Sequence, residues 1–156
     1  MNYWDTSCVL KLYTPEPDSA AYLALAGQAT EPLLTSEIMA SELTFALHQK
    51  ESRGDLKAGS AERVLKQFHA DCAAGRWLLI PLGRDVLVRA AQLAKACYQR
   101  KPPVALRTLD GVHLATALLT KTAGLVTTDE RMRQAARVLG LALVPSSSPA
   151  GTKRAG

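Results

Sequence analysis

Short apolar runs alternate along this chain with longer stretches in which apolar residues recur every three or four positions. The short runs predict strands and the longer stretches predict helices. The predicted strands are residues 1–4, 32–35, 77–81 and 123–127, with one more apolar run at 141–144. The predicted helices are residues 7–13, 18–27, 37–53, 57–75, 84–100, 108–121 and 130–139.

Capping and breaking residues set several of these boundaries. Pro15 ends the first helix, Asp18 or Ser19 caps the second, Ser36 caps the third, and Gly54 ends it. Short apolar strands that alternate with helices are typical of a mainly parallel sheet covered on both faces. The pattern therefore predicts an α/β fold, a three-layer α/β/α sandwich.

Length and composition fit one globular domain. The 156 residues are 47% hydrophobic and 21% charged, which is ordinary for a domain with a full core. No run of about 18 apolar residues is present, and no secretion signal precedes the first strand, so we expect a cytoplasmic protein. Three widely spaced cysteines suit reduced core thiols. We expect a domain over residues 1–145 and a disordered basic tail over 146–156.

The positive charge lies in the last third of the chain. Residues 1–100 carry 11 Lys and Arg and 11 Asp and Glu, whereas residues 101–156 carry 8 and 3, which accounts for the whole net charge of +5. A basic region beside an acidic site favours a polyanionic partner, with nucleic acid first. A solvated basic face without a partner explains the charge equally well.

Four carboxylates stand where an unpaired charge would be costly. Asp5 and Asp129 each follow a predicted strand, Asp110 opens a predicted helix, and Glu42 lies inside one. Ligands of open parallel sheets bind outside the carboxyl ends of the strands, so Asp5 and Asp129 are predicted at the same sheet edge. Carboxylates near apolar elements become favourable when they share a hard divalent cation.

Helical spacing predicts that the other two acids face the domain interior. Asp110 shares a face with Leu114, Ala117 and Leu118, by steps of three and four. The corresponding stripe of Glu42 consists of Ile38, Phe45, Ala46 and Gln49.

Each acid also has a structural explanation. Asp5 and Asp129 suit helix caps, Asp110 suits the positive end of a helix dipole, and Glu42 suits a buried ion pair with an arginine. Four carboxylates without nearby Cys or His ligands favour Mg²⁺ or Mn²⁺ over zinc. Hydroxyl groups that could orient the carboxylates or bound waters belong to Thr6, Ser7, Thr127 and Thr128.

Four ordered motifs carry a family resemblance over residues 1–145. They are Asp5-Thr6-Ser7, Ser41-Glu42-Leu43, the run from Leu109-Asp110 to Ala117, and Val126-Thr127-Thr128-Asp129. In order and spacing the chain resembles PIN-domain ribonucleases of the VapC toxin type. It departs from the family pattern in its short first strand, where Asn2 and Tyr3 replace aliphatic residues, and in its tail.

The resemblance implies a PIN-like fold with a central, mainly parallel sheet of four or five strands. It also implies Mg²⁺- or Mn²⁺-dependent endonucleolytic cleavage of RNA by the toxin of a type II toxin–antitoxin pair. The implied partners are RNA, a cognate antitoxin and a second copy of the chain. The implied site is Asp5, Glu42, Asp110 and Asp129, with Asp5 and Asp110 holding the tighter of one or two cations.

Two other functions remain open at this stage. One is a PIN-domain nuclease of RNA processing or decay that has no antitoxin, and the other is a catalytically idle PIN-like module that binds RNA or protein. Lys11, Arg107 and Arg131 lie near site residues in sequence and could hold phosphates, or could be ordinary surface charges. His113, beside Asp110, is expected to pack or to form a hydrogen bond.

Overall fold

The computed structural model describes residues 1–147 and contains four strands and seven helices in that range. The last nine residues of the predicted tail, 148–156, lie outside the described part of the chain. The strands are β1 (Asn2–Trp4), β2 (Leu33–Ser36), β3 (Trp77–Ile80) and β4 (Gly124–Val126). The helices are α1 (Thr6–Tyr13), α2 (Ser19–Gly27), α3 (Ile38–Ser52), α4 (Ser60–Ala73), α5 (Arg84–Tyr98), α6 (Thr108–Leu119) and α7 (Glu130–Leu139).

The sheet is parallel, in the order β3-β2-β1-β4. Strands β1, β2 and β3 lie side by side in chain order, and β4 lies on the other side of β1. The strand order therefore reverses between β1 and β4, where Trp4 pairs with Val126. In open α/β sheets the crevice at such a reversal is the usual ligand site. The predicted fold class is confirmed.

Alternate strand residues feed two separate cores. Tyr3 and Leu125 pack among residues of α5, α6 and α7, whereas Trp4 and Val126 pack among residues of α1, α3 and α4. Successive strand side chains point to opposite faces, so the neighbours Tyr3 and Trp4, and likewise Leu125 and Val126, lie on the two sides of the sheet. The result is the three-layer sandwich.

The apolar run at 141–144 adds a rudimentary fifth strand beside β4. The Leu125 amide donates to the Ala142 carbonyl and the Val144 amide donates to the Leu125 carbonyl. A Cβ at Gly124 would lie 2.6 Å from a Val144 methyl carbon, so only glycine admits the segment this close. Arg133, whose side chain is fully buried, then fixes the segment by donating to the carbonyls of Pro145 and Ser146.

Three local predictions are corrected. Helix α4 begins at Ser60 rather than at residue 57, because Gly59 takes a left-handed conformation (φ 76°) before it. Asp18 does not cap α2 with its side chain, because its carboxylate binds Lys11 Nζ at 2.6 Å. The stripe assigned to Glu42 is wrong at Phe45, which is 79% exposed; the buried stripe of α3 is Met39, Leu43 and Leu47.

In residues 1–147 no helix combines the length and the apolar character that crossing a membrane requires.

Candidate functional site

Asp5 lies at the carboxyl end of β1 and caps α1. Its Oδ1 accepts from the Cys8 amide at 3.0 Å and from the Ser7 hydroxyl at 2.7 Å, and its Oδ2 accepts from the Thr127 hydroxyl at 2.5 Å. The residue is only 3% exposed. Burial raises the pKa of Asp5, and the bonds from Thr127 and Ser7 offset this only in part. A buried carboxylate held by three donors is kept in one orientation.

The same hydroxyls join β1 to β4. The Thr128 hydroxyl donates to Ser7 Oγ at 2.9 Å, and the Asp129 amide donates to the Thr127 hydroxyl oxygen at 3.1 Å. All four predicted supporting hydroxyls contact a site acid or one another; the fourth, on Thr6, donates to Glu42 Oε2.

Glu42 is half-buried on the second turn of α3, and its main partner is a histidine rather than an arginine. Its Oε2 lies 2.6 Å from His113 Nε2. Burial raises the pKa of Glu42, but hydrogen bonding and charge from His113, together with the Thr6 hydroxyl, outweigh burial and leave the pKa lowered. The predicted hydrogen bond of His113 is therefore found, and it holds an ionised carboxylate.

Asp110 and Asp129 form the other half of the site. Asp129 caps α7, since its Oδ1 accepts from the amides of Arg131 at 2.8 Å and Met132 at 3.2 Å. Asp110 accepts from the Arg107 amide at 3.3 Å in the first turn of α6. Burial raises the pKa of Asp110, and the negative charge of Asp129 raises it further. The two carboxylates are thus close enough to repel each other.

The helix-capping and first-turn roles considered for the aspartates are therefore found in the structure. They do not prevent Asp5 and Asp129 from lying at the same edge of the sheet. Asp5 caps α1 and Asp129 caps α7, yet both stand at the reversal of strand order between β1 and β4. Glu42 reaches the same end through Thr6 and His113.

The donor set suits a hard cation. Four carboxylates and four hydroxyls supply oxygen ligands of the kind that Mg²⁺ and Mn²⁺ prefer, and a cation would relieve the repulsion between Asp110 and Asp129. Within residues 1–147, however, no three Asp, Glu, His or Cys side chains stand close enough together to form a ready-made metal cluster. Mg²⁺ commonly keeps several waters and binds through one or two carboxylates, so the residues fit such a cation.

The candidate phosphate-binding residues separate into two kinds. Lys11 is buried and paired with Glu16 and Asp18, both at 2.6 Å, so it braces the turn between α1 and α2 and has no part at the site. Arg107 and Arg131 both lower the pKa of Asp110 by their charge, which places them beside the acids. Arg131 also lies 3.6 Å from Asp129.

A model of the PIN domain matches residues 3–138. The chain belongs to the PIN-domain family. It is 34% identical over 150 residues to Ribonuclease VapC46 of Mycobacterium tuberculosis, covering 93% of this chain and 97% of that one, which makes it a VapC-type PIN ribonuclease.

Solved structures agree on the fold of this PIN domain. Mycobacterium tuberculosis VapC20, a sarcin–ricin loop cleaving toxin, superposes with a TM-score of 0.70 at 13% identity, over 96% of this chain and all of that one. A toxin–antitoxin complex from Klebsiella pneumoniae gives 0.56 at 18% identity, over 83% of this chain and 87% of that one.

One residue linked to the site by a hydrogen bond had no clear signal in the sequence. Tyr3 reads as an interruption of a short aliphatic strand, yet its hydroxyl lies 2.6 Å from His113 Nδ1. The available signal was the exchange itself, a hydroxyl-bearing ring in place of an aliphatic residue two positions before Asp5.

Proposed function

We propose that this VapC-type PIN ribonuclease hydrolyses RNA phosphodiester bonds with Mg²⁺ or Mn²⁺ and acts as the toxin of a toxin–antitoxin pair. The observation that supports the proposal is that Asp5 and Asp129 directly follow β1 and β4 at the reversal of strand order, where the hydroxyls of Ser7, Thr127 and Thr128 join the two strand ends. Asp110 lies near enough to Asp129 to feel its charge, and Thr6, which follows Asp5, holds Glu42. Carboxylates held at this edge by hydroxyl groups, with Arg107 and Arg131 beside them, suit a divalent cation and a phosphate-bearing substrate.

The chain's own residues divide the work. Ser7, Thr127 and the Cys8 amide hold Asp5, and His113 and Thr6 hold Glu42, so both carboxylates are fixed before a substrate arrives. Asp110 and Asp129 concentrate negative charge that favours a divalent cation. When bound, the cation supplies a more acidic water and neutralises charge on the phosphate. Arg107 and Arg131 bind the flanking phosphates as charged donors.

The first test compares two site variants with a matched control. Asp5→Asn and Asp110→Asn are expected to lower cleavage of a structured RNA in Mg²⁺ or Mn²⁺ by at least about a hundredfold, because each removes a charged oxygen ligand. Asp55→Asn, a change at an exposed aspartate, is expected to cleave like the parent. Undiminished metal-dependent cleavage by both site variants, in preparations shown free of host nuclease, would reject the site.

The toxin role is tested in cells. Expression of the parent chain is expected to arrest growth, the Asp5→Asn variant to be harmless, and co-expression of the gene adjacent to this one to restore growth. The similarity to a toxin–antitoxin complex supports this partner. Harmless expression of a protein that cleaves RNA in vitro would favour an RNA-processing nuclease without an antitoxin.

We further propose a homodimer in the cytoplasm. Large apolar side chains are exposed on two helices, with Phe45 on α3 at 79%, and Leu87 and Val88 on α5 at about half. Exposed apolar groups of this size support a protein interface. Light scattering after gel filtration would give twice the chain mass of 16.7 kDa if the dimer forms and the chain mass itself if it does not.

A further inference from the structure

A chain of hydrogen bonds runs from the middle of the sheet to Glu42. Tyr3 on β1 and His113 on α6 are buried, at 0% and 3% exposure. The Tyr3 hydroxyl oxygen lies 2.6 Å from His113 Nδ1, and His113 Nε2 lies 2.6 Å from Glu42 Oε2. We call these three residues the Tyr3–His113–Glu42 chain.

The protons in this chain can be placed by following the donors. The Ser36 amide donates to the Tyr3 hydroxyl oxygen at 3.1 Å, so the phenol already accepts one bond and its own proton is free to be donated. We infer that His113 Nδ1, 2.6 Å away, accepts this hydroxyl proton, in which case the ring proton of the neutral form lies on Nε2.

This tautomer has a direct consequence for Glu42. The Nε2 proton of His113 and the Thr6 hydroxyl proton both point to Oε2, and Oε1 takes part in neither bond. With the opposite tautomer, Nε2 would present a lone pair to an ionised carboxylate. In the neutral ring, a Tyr3 hydroxyl that donates to Nδ1 favours the tautomer that can hold Glu42.

We propose that Tyr3 and His113 are positioning residues that fix the Glu42 carboxylate, with Tyr3 setting the histidine tautomer and Oε1 left for a divalent cation. The proposal rests on the proposed function for its purpose, since a fixed Glu42 matters to a cation-dependent nuclease. The tautomer itself is a property of the protein without cation or RNA.

Four variants separate positioning from packing. Tyr3→Phe removes only the hydroxyl, and Tyr22→Phe is its matched control, because Tyr22 is 1% exposed and its hydroxyl has no hydrogen-bond partner in the described structure. His113→Leu removes the donor to Glu42. His113→Gln keeps an N–H at the place of Nε2 and is the conservative rescue.

The first measurement is the ring tautomer, by ¹⁵N NMR of histidine-labelled protein at about pH 8, where unperturbed histidines are neutral. The chain has three histidines, and the signal lost in His113→Gln identifies His113. We expect the parent and Tyr22→Phe to show Nε2–H alone and Tyr3→Phe to show a mixture. A parent ring with its proton on Nδ1, a mixture of tautomers in the parent, or a parent ring protonated on both nitrogens overturns the proposal.

The second measurement is binding of Mn²⁺ alone to the purified chain, by calorimetric titration. Residues that orient a metal ligand typically contribute about 10–100-fold in affinity, so Tyr3→Phe and His113→Leu are expected to bind Mn²⁺ at least about tenfold more weakly. His113→Gln and Tyr22→Phe are expected to stay within about threefold of the parent. Unchanged affinity in Tyr3→Phe overturns the proposal, and this variant decides even where His113→Leu fails to fold.

Neither measurement depends on turnover. A parent chain that cleaves no RNA yet shows the expected tautomer and affinities would refute the proposed function and leave the positioning role in place. A parent chain that cleaves RNA, with Tyr3→Phe unchanged in both measurements, would leave the proposed function in place and refute the positioning role.

Discussion

At the scale of single residues, Glu42 and Asp110 respond oppositely to their surroundings. The pKa of Glu42 is lowered despite burial, because His113 and Thr6 hold the ionised form. The pKa of Asp110 is raised, because burial and Asp129 both oppose ionisation. Ionised Glu42 thus stabilises the fold, whereas ionised Asp110 costs stability, and this cost is one that a functional site commonly carries.

Neutralising Asp110 should therefore stabilise the protein while abolishing its chemistry. Because the folded pKa of Asp110 lies above its unfolded value, the cost of its charge is absent below the unfolded pKa and grows as pH rises through the folded one. Thermal unfolding should show Asp110→Asn level with the parent near about pH 3 and higher by about 2–4 °C at neutral pH, the shift that roughly 1 kcal/mol produces in a domain of this size.

Glu42→Gln provides the opposite sign as a control. The folded pKa of Glu42 is lowered, so its stabilisation is present above the unfolded pKa and is lost as pH falls through the folded one. This variant should melt below the parent at neutral pH, with the gap closing in acid. A neutral-pH melting point for Asp110→Asn at or below that of the parent would contradict the cost assigned to the ionised Asp110 carboxylate.

At the scale of elements, Arg133 ties three parts of the chain together. Its guanidinium donates to the Thr127 carbonyl at 3.2 Å as well as to the carbonyls of Pro145 and Ser146. Thr127 in turn donates to Asp5. Helix α7 thus fastens the C-terminal segment and the turn that supports the site with one buried cation.

Removing that cation should loosen the segment. Arg133→Met leaves three carbonyls without their charged donor, and such losses typically cost about 2–4 kcal/mol. Urea unfolding of Arg133→Met should show a decrease of this size in the free energy of unfolding. Arg137→Met removes an exposed pair with Glu130, and the free energy of unfolding should then change by less than about 1 kcal/mol. Equal small effects in both variants would show that the guanidinium bonds add little.

At the scale of the whole molecule, the two ends of the sheet have separate tasks. Opposite the acids, where β2 and β3 begin, Trp77 Nε1 donates to the Tyr13 hydroxyl at 2.8 Å and Tyr13 donates to Asp71 at 2.7 Å. This buried polar chain joins α1, α4 and β3 beside a cleft of about 650 Å³. It has no hydrogen bond to the site acids.

Tyr13→Phe tests this separation. It leaves the buried Trp77 N–H and the Asp71 carboxylate each short of a partner, at a typical cost of about 1–3 kcal/mol. The unfolding free energy should fall by that amount, while kcat/KM for RNA should stay within about twofold of the parent. A large loss of cleavage in a folded Tyr13→Phe protein would show that the two ends are coupled.

The sequence predicted what depends on local pattern and missed what depends on distant partners. Strand and helix positions followed from apolar spacing, and the places of Asp5 and Asp129 followed from their position after strands. The burial of Arg133 could not be foreseen, because it depends on carbonyls 12 and 13 residues away. The contact between Tyr3 and His113, 110 residues apart, likewise leaves no local trace.

The capping bonds of Asp5 and Asp129 bear on how such chains lose their activity over evolution. A lineage freed from selection for cleavage would still gain helix stability from both aspartates, so a pseudoenzyme would keep them. Glu42 accepts bonds only from the Thr6 and His113 side chains in the described structure, so its replacement would remove no capping bond from a helix. In a descendant that no longer cleaves RNA, we therefore expect Glu42 to be replaced while Asp5 and Asp129 are retained.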